Sequence, residues 1–190
     1  MLVLAAAASM FLIPPLCRLA PRLGLVDLPD PRKVHTAPIP RVGGWGITLG
    51  MLFPLLLLLP DNPLMQSFVG GALILFGFGV WDDAREIGHW PKFIGQIGAA
   101  ALVVYYGNLY ITSLPFLGDG VLNPLFGRLF TVFALVGAIN AVNHSDGLDG
   151  LASGECLLSL IALASLGYLA DSSLVMTLSL VAIEIGRAHV

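Results

Sequence analysis

The chain has 190 residues and a formal net charge of −3; 57% of its residues are apolar, only 11% are charged, and mean hydropathy is +0.89. A soluble domain carries about 25% charged residues, so this chain lacks the charge to cover a water-soluble surface of its size. The same figures argue against a disordered tail, a nucleic-acid binder or a secreted disulfide scaffold, and Cys17 and Cys156, both in apolar runs, read as small core hydrophobes.

A spanning helix needs about 20 mostly apolar residues. Candidate spans fall, in chain order, at 2–19, 43–59, 67–81, 93–111, 125–142 and 151–170, with a seventh beginning near residue 172. The expected fold is therefore all-α: a polytopic transmembrane helix bundle of about six to seven spans. The third run is short, but Gly70, Gly71, Gly77 and Gly79 suit close helix packing. The first run lacks a basic start and a small-residue cleavage site, so it reads as a retained helix rather than a signal peptide.

Basic residues orient the bundle. Of nine Lys and Arg, Arg18, Arg22, Arg32, Lys33 and Arg41 flank or lie in the loop after the first span, and Arg85 and Lys92 lie in the loop after the third. The loops at 60–66 and 112–124 hold none. The positive-inside rule then places the N-terminus outside and loops one, three and five in the cytoplasm, with Arg128 near the outer end of span five as the exception. Three polar clusters, at 27–41, 82–86 and the pair 146/149, consequently share one membrane face. The last seven residues, Glu184-Ile-Gly-Arg-Ala-His-Val190, match one reading frame of a common sequencing adapter. Residues 1–183 are accordingly expected to form the N-terminal part of one multi-span domain, with 184–190 a non-native tail.

Asp82 and Asp83 follow Trp81 where a Gly-rich span leaves the membrane. Adjacent carboxylates at a helix C-terminus oppose the helix dipole, which favours cations there. A divalent cation or a proton handled at that point would explain them; a solvated helix end, where acidic pairs are common, is the alternative. Asn140 and Asn143, three apart, share a helix face, and Asp146 and Asp149 continue the spacing into a Gly-punctuated turn. Two carboxylates and two amides make a hard, oxygen-rich environment suited to Mg²⁺ and to the polar parts of a nucleotide. In the first loop, prolines alternate with Arg32, Lys33, His35 and Arg41 before Gly43-Gly44. A positive-inside anchor accounts for the cations, which could also receive phosphate groups, but not for His35 or the glycine pair. His89 and Trp90 read as interface anchors.

Taken in order, Arg32-Lys33-x-His35-x-x-Pro38-x-Pro40-Arg41-x-Gly43-Gly44, Asp82-Asp83 and Asn140-x-x-Asn143-x-x-Asp146-Gly-Leu-Asp149-Gly150-Leu151-Ala152 carry a resemblance. The sequence resembles the polyprenyl-phosphate N-acetylhexosamine-1-phosphate transferases of bacterial envelope synthesis, and its Arg-Lys-x-His opening looks like the branch that moves N-acetylglucosamine 1-phosphate. The resemblance implies a Mg²⁺-dependent membrane phosphotransferase (Mn²⁺ as a substitute) acting on a UDP-N-acetylhexosamine and a polyprenyl, usually undecaprenyl, phosphate. UMP leaves, and the lipid-linked sugar starts a cell-wall or lipopolysaccharide polymer. It further implies catalytic roles for Asp82 and Asp83, metal binding by Asp82, Asp83 and Asp146, and substrate contacts from Lys33, His35, Arg41, Asn140, Asn143, Asp146 and Asp149. The expected location is the bacterial inner membrane, multi-pass, with the active face cytoplasmic. No nucleic-acid partner is implied, and a homodimer is left open. His144 stands where the family often has an apolar residue. The family's later metal-binding Asp and His-rich loop are absent from these residues, so they are expected to hold about the N-terminal half of such an enzyme and to be inactive alone. The rival reading from another class is a transporter or channel using the helix-end acids.

Overall fold

A computed structural model describes residues 2–27, 39–40, 42–57, 62–85, 87–114, 120–145, 151–172, 175–176, 178–180 and 182–183. The chain divides into two units: Met1–Leu57 with Asp83–Arg85 and Leu148–Val190, and Leu58–Asp82 with Glu86–Gly147. Apart from one two-residue β-ladder, the regular structure among the described residues is helical.

In the first unit, α1 (Leu2–Leu19) contains Pro14 and Pro15 and passes into a 3₁₀ turn at Ala20–Leu23. Gly24 ends that turn at φ 70°, a left-handed conformation that a residue without Cβ adopts at no steric cost. The Leu25 N–H then donates to the Ala20 carbonyl at 3.0 Å. This reversal lets strands β1 (Val26–Asp27) and β2 (Ile39–Pro40) pair antiparallel, Val26 opposite Pro40, and so ties together the two ends of the first loop. Beneath it, Ala20, Leu25 and Val42 form a small core with Leu16, Cys17, Val26 and Trp45 packed against it. Cys17 thus packs as an apolar side chain. α2 (Gly43–Leu57) crosses α1 with glycines at the contact: Gly46 faces Ile13, and Gly50 faces the buried Ser9. A Cβ on Gly50 would stand 2.9 Å from both the Cβ and the backbone nitrogen of Ser9. α6 (Leu151–Leu169) ends in a turn with Asp171 at φ 53°, and the helical residues among 175–183 return against Gly167.

In the second unit, which holds α3 (Pro63–Arg85) as far as Asp82, that helix is longer than the expected 67–81 run. Its start lies in what reads as a loop, because Asn62 caps it through Oδ1 to the Leu64 N–H at 2.9 Å and Pro63 occupies the first helical position. Its end carries the Asp pair within the helix rather than in a loop. α4 (His89–Ala101) begins before the expected residue 93, then widens into a π-turn over Leu102–Tyr106 and stops at Gly107. The expected span therefore does not continue to residue 111. Asn108 turns left-handed at φ 51°, and Ser113 and Val121 bridge across a short antiparallel excursion. α3 and α4 approach closely: Cβ atoms on Gly70 and Gly95 would meet the side chains of Leu102 and Phe78 at 2.8 and 2.6 Å.

α5 (Pro124–Ser145) starts under an Asn123 cap, whose Oδ1 accepts from the Leu125 N–H at 2.9 Å. Thr131 ties its first turns to the preceding segment, accepting from the Ile111 N–H at 2.8 Å and donating to the Gly127 carbonyl at 2.7 Å. Arg128, out of place in a basic-poor end, lies over the rings of Tyr110 and Tyr105 at 5.0 and 5.6 Å and donates to Asn108 at 3.2 Å. Aromatic faces stabilise a guanidinium in this way without a carboxylate partner.

α3 and α5 are long and apolar enough to cross a membrane, and most of each is not buried. On α5, Phe126, Leu129 and Phe133 all face outward, Phe133 at 75% exposure. Apolar surface of this extent fits a lipid surrounding rather than water. Gly43–Phe53 and Gly154–Leu169 are shorter apolar helices. The described helices thus fit a membrane protein.

Candidate active site

Asp82 sits in the last turn of α3, where the dipole disfavours an anion, and the structure supplies a cation to offset it. Lys92, in the first turn of α4, places Nζ 2.6 Å from Asp82 Oδ2, with the two side chains 37% and 29% exposed. Only three residues, 86–88, separate α3 from α4 in the sequence, which keeps Lys92 near Asp82. Sequence reading counted Lys92 only as a loop charge. Opposite charges flanking a short helix–helix turn were the signal available.

Asp83, the next residue on α3, is half-buried and has no ion pair among the described residues. It offers a carboxylate with free acceptor positions. Trp81 precedes the pair and packs at 5.9 Å between ring centroids on Phe78, one turn back.

Asn140 and Asn143 lie in the last two turns of α5. Asn140 is engaged inside the unit: its Nδ2 donates to Gln96 Oε1 at 2.7 Å and to the Val136 carbonyl at 2.8 Å. Gln96 is 7% exposed, on the α4 face that also buries Gly95, Ala99 and Ala100. Gln96 was missed by sequence reading, although a lone amide within an apolar helical run is a recognisable signal. Asn143 and His144, one turn beyond Asn140, are exposed. The Ser145 hydroxyl donates back to the Val142 carbonyl at 2.9 Å, so α5 keeps its helical form to its end. Within the second unit, then, α4 carries two successive polar links, Lys92 to Asp82 and Gln96 to Asn140.

Lys33, His35, Arg41, Asp146 and Asp149 lie outside the described residues. Among the described residues, no three His, Cys, Asp or Glu side chains gather closely enough to hold a metal ion. The donors that are described, two adjacent carboxylates on α3 and the exposed amide of Asn143, are hard oxygen groups. In kind they fit Mg²⁺ rather than zinc or copper.

Residues 65–187, more than half of the chain, match the protein family described as glycosyl transferase family 4. The chain belongs to glycosyl transferase family 4. Within that family it is 34% identical over 168 residues to a probable undecaprenyl-phosphate N-acetylglucosaminyl 1-phosphate transferase of Bacillus subtilis, covering 87% of this chain and 47% of that protein. It is 36% identical over 182 residues to a decaprenyl-phosphate N-acetylglucosaminephosphotransferase of Mycobacterium tuberculosis, covering 88% and 45%. It is 34% identical over 155 residues to an undecaprenyl-phosphate alpha-N-acetylglucosaminyl 1-phosphate transferase of Escherichia coli, covering 80% and 41%. The chain thus spans somewhat under half the length of these family 4 relatives. All three are named as transferases, and none as a transporter or channel. No solved structure matches the chain.

Proposed function

We propose that the chain is part of a membrane phosphotransferase that moves N-acetylglucosamine 1-phosphate from UDP-N-acetylglucosamine to a polyprenyl phosphate. One observation carries the reading: relatives from three different bacteria, each matched over at least 80% of this chain, are all named as undecaprenyl- or decaprenyl-phosphate transferases of N-acetylglucosamine phosphate. The side-chain chemistry supports it, because phosphoryl transfer needs mainly positioning and neutralisation of crowded phosphate oxygens. A phosphate oxygen of the lipid attacks the β-phosphorus of the donor. The bond from that phosphorus to the bridging oxygen breaks, and UMP leaves with the bridging oxygen.

Asp82 and Asp83 hold or deprotonate the acceptor phosphate or ligate Mg²⁺, with Asp146 as a further ligand. Mg²⁺, when bound, supplies Lewis-acid neutralisation of the diphosphate charge. Lys92, with Nζ 2.6 Å from Asp82 Oδ2, holds that carboxylate in place. Asn143, Asp146 and Asp149 receive the nucleotide sugar, while Lys33, His35 and Arg41 receive phosphate. The Lys/Arg distribution supports an N-terminus outside and these residues on the cytoplasmic face of the inner membrane.

The test is UMP release from UDP-N-acetylglucosamine by membranes carrying the full-length protein, supplied with undecaprenyl phosphate and Mg²⁺. EDTA should abolish release and excess Mg²⁺ restore it. Asp83→Asn and Asp146→Asn should each reduce it at least about 100-fold, the scale of losing one stabilising group in a transition state. Release that survives EDTA, or a near-normal rate in either variant, overturns the assignment of that group.

A further inference from the structure

We propose that Gln96 is a positioning residue for the transfer: through its amide–amide contact with Asn140 it fixes α5 against α4, and so sets where Asn143 stands relative to the Lys92–Asp82 pair. The inference rests on the functional reading above for its consequence, but not for its geometry.

The geometry is confined to one unit. Asn140 has two amide hydrogens, and both are used: one reaches Gln96 Oε1 at 2.7 Å, the other the Val136 carbonyl at 2.8 Å. Gln96 Nε2 points back at Asn140 Oδ1 at 3.5 Å, so the two amides face each other head to head. Asn140 has no donor left for a nucleotide without breaking one of these bonds. Asn140 is thus a structural partner in the site, and Asn143, one turn on and exposed, is the amide left free to meet substrate.

Two further features give the contact its leverage. Lys92 and Gln96 are four residues apart on α4, so they stand one above the other on neighbouring turns. One turn grips Asp82 of α3, the next grips Asn140 of α5. Asn140 and Asn143 are likewise one turn apart, about 4.5 Å along the helix axis at 1.5 Å per residue. Small residues line the buried face of α4, but Gly95 and Ala99 turn toward Phe78 and Gly71 of α3, and Gly137 on α5 is exposed and meets nothing within 4 Å, so none of these directs the α4–α5 contact. Small residues allow close approach but do not fix rotation or register. A directional hydrogen bond does, and Gln96, 7% exposed, has little water to exchange with. A displacement of about 1 Å at a reacting group can cost about 100-fold in rate.

Four versions of the full-length protein test this: wild type, Gln96→Leu, Asn140→Leu, and the exchange Gln96→Asn with Asn140→Gln. The exchange keeps the summed side-chain length and restores an amide–amide pair. Nitroxide labels at Ile97→Cys on α4 and His144→Cys on α5, both exposed positions, report the relation of the helices after Cys17 and Cys156 are changed to Ser. The expected result is a label–label distance distribution about twofold broader in each Leu variant and narrow again in the exchange. UMP release, measured without the labels, should fall about 10–100-fold in kcat with donor KM changed less than about threefold, and recover in the exchange. Loss of chain folding would instead lower the amount of active protein without broadening the distance in the molecules that remain. Unchanged distance distributions in both Leu variants overturn the positioning role. A broadened distribution with no change in kcat overturns its link to transfer. If wild type releases no UMP, the functional reading fails, and the label distances alone decide whether Gln96 fixes α5.

Discussion

Gly95→Ala tests whether α3 and α4 are held at the separation on which the Lys92–Asp82 pair depends. A methyl group there would stand 2.6 Å from Cγ and Cδ2 of Phe78, about 1 Å inside ordinary carbon–carbon contact. The clash is at the root of the ring, not its far edge, so Phe78 cannot relieve it by a small rotation. Swinging the whole ring would also disturb its packing on Trp81. Overpacking of this kind costs about 1–3 kcal/mol. Alanine also returns helix propensity of about 0.8–1 kcal/mol over glycine. Gly98→Ala, three residues further along α4, receives the same propensity gain but meets nothing within 4 Å. Comparing the two variants cancels the propensity and leaves the clash, about 1–3 kcal/mol. At about 2–4 °C per kcal/mol for a chain of 150–250 residues, Gly95→Ala should melt about 2–12 °C below Gly98→Ala. Circular dichroism of the two proteins in the same detergent measures this directly, and UMP release by the full-length protein should fall in Gly95→Ala alone. Equal melting temperatures, or a more stable Gly95→Ala, would refute the close α3–α4 approach.

The same logic applies in the first unit, where Gly50→Ala should destabilise by about 1–3 kcal/mol against the Ser9 backbone and Gly44→Ala, in open space, should not; a melting comparison in detergent checks it, and equal values would mean α1 and α2 do not cross there. For topology, single cysteines at Thr36, Ser145 and Val121, with Cys17 and Cys156 replaced by Ser, should differ in whole cells: a membrane-impermeant thiol reagent should label Val121→Cys and spare the other two. Val121, 83% exposed, is an accessible outer probe. Labelling of Thr36→Cys or Ser145→Cys from outside would reverse the orientation.

Composition and apolar run length were enough to determine that this chain is helical and suited to lipid. A run of 18 apolar residues has few ways to satisfy its backbone other than a helix, so α1 occupies the expected 2–19, and α2 and α6 match their runs to within two residues. The acidic pair at 82–83 and the amide pair at 140 and 143 were also legible, because polar residues at the ends of apolar helices stand out against a quiet background. Helix ends that depend on local chemistry were less so. The Asn62 cap and Pro63 draw α3 back into an apparent loop, and Gly107 with left-handed Asn108 stops the fourth helix before residue 111. Those are turn and cap signals that a hydropathy window averages away. What only the tertiary structure decided is which polar groups meet. Lys92 and Asp82 are ten residues apart and Gln96 and Asn140 forty-four, and no periodicity in one strand of sequence records a partner on another helix. The pairing depends on how closely glycine and alanine let the helices approach and on the rotation each adopts, and both are properties of the packed unit rather than of any segment within it.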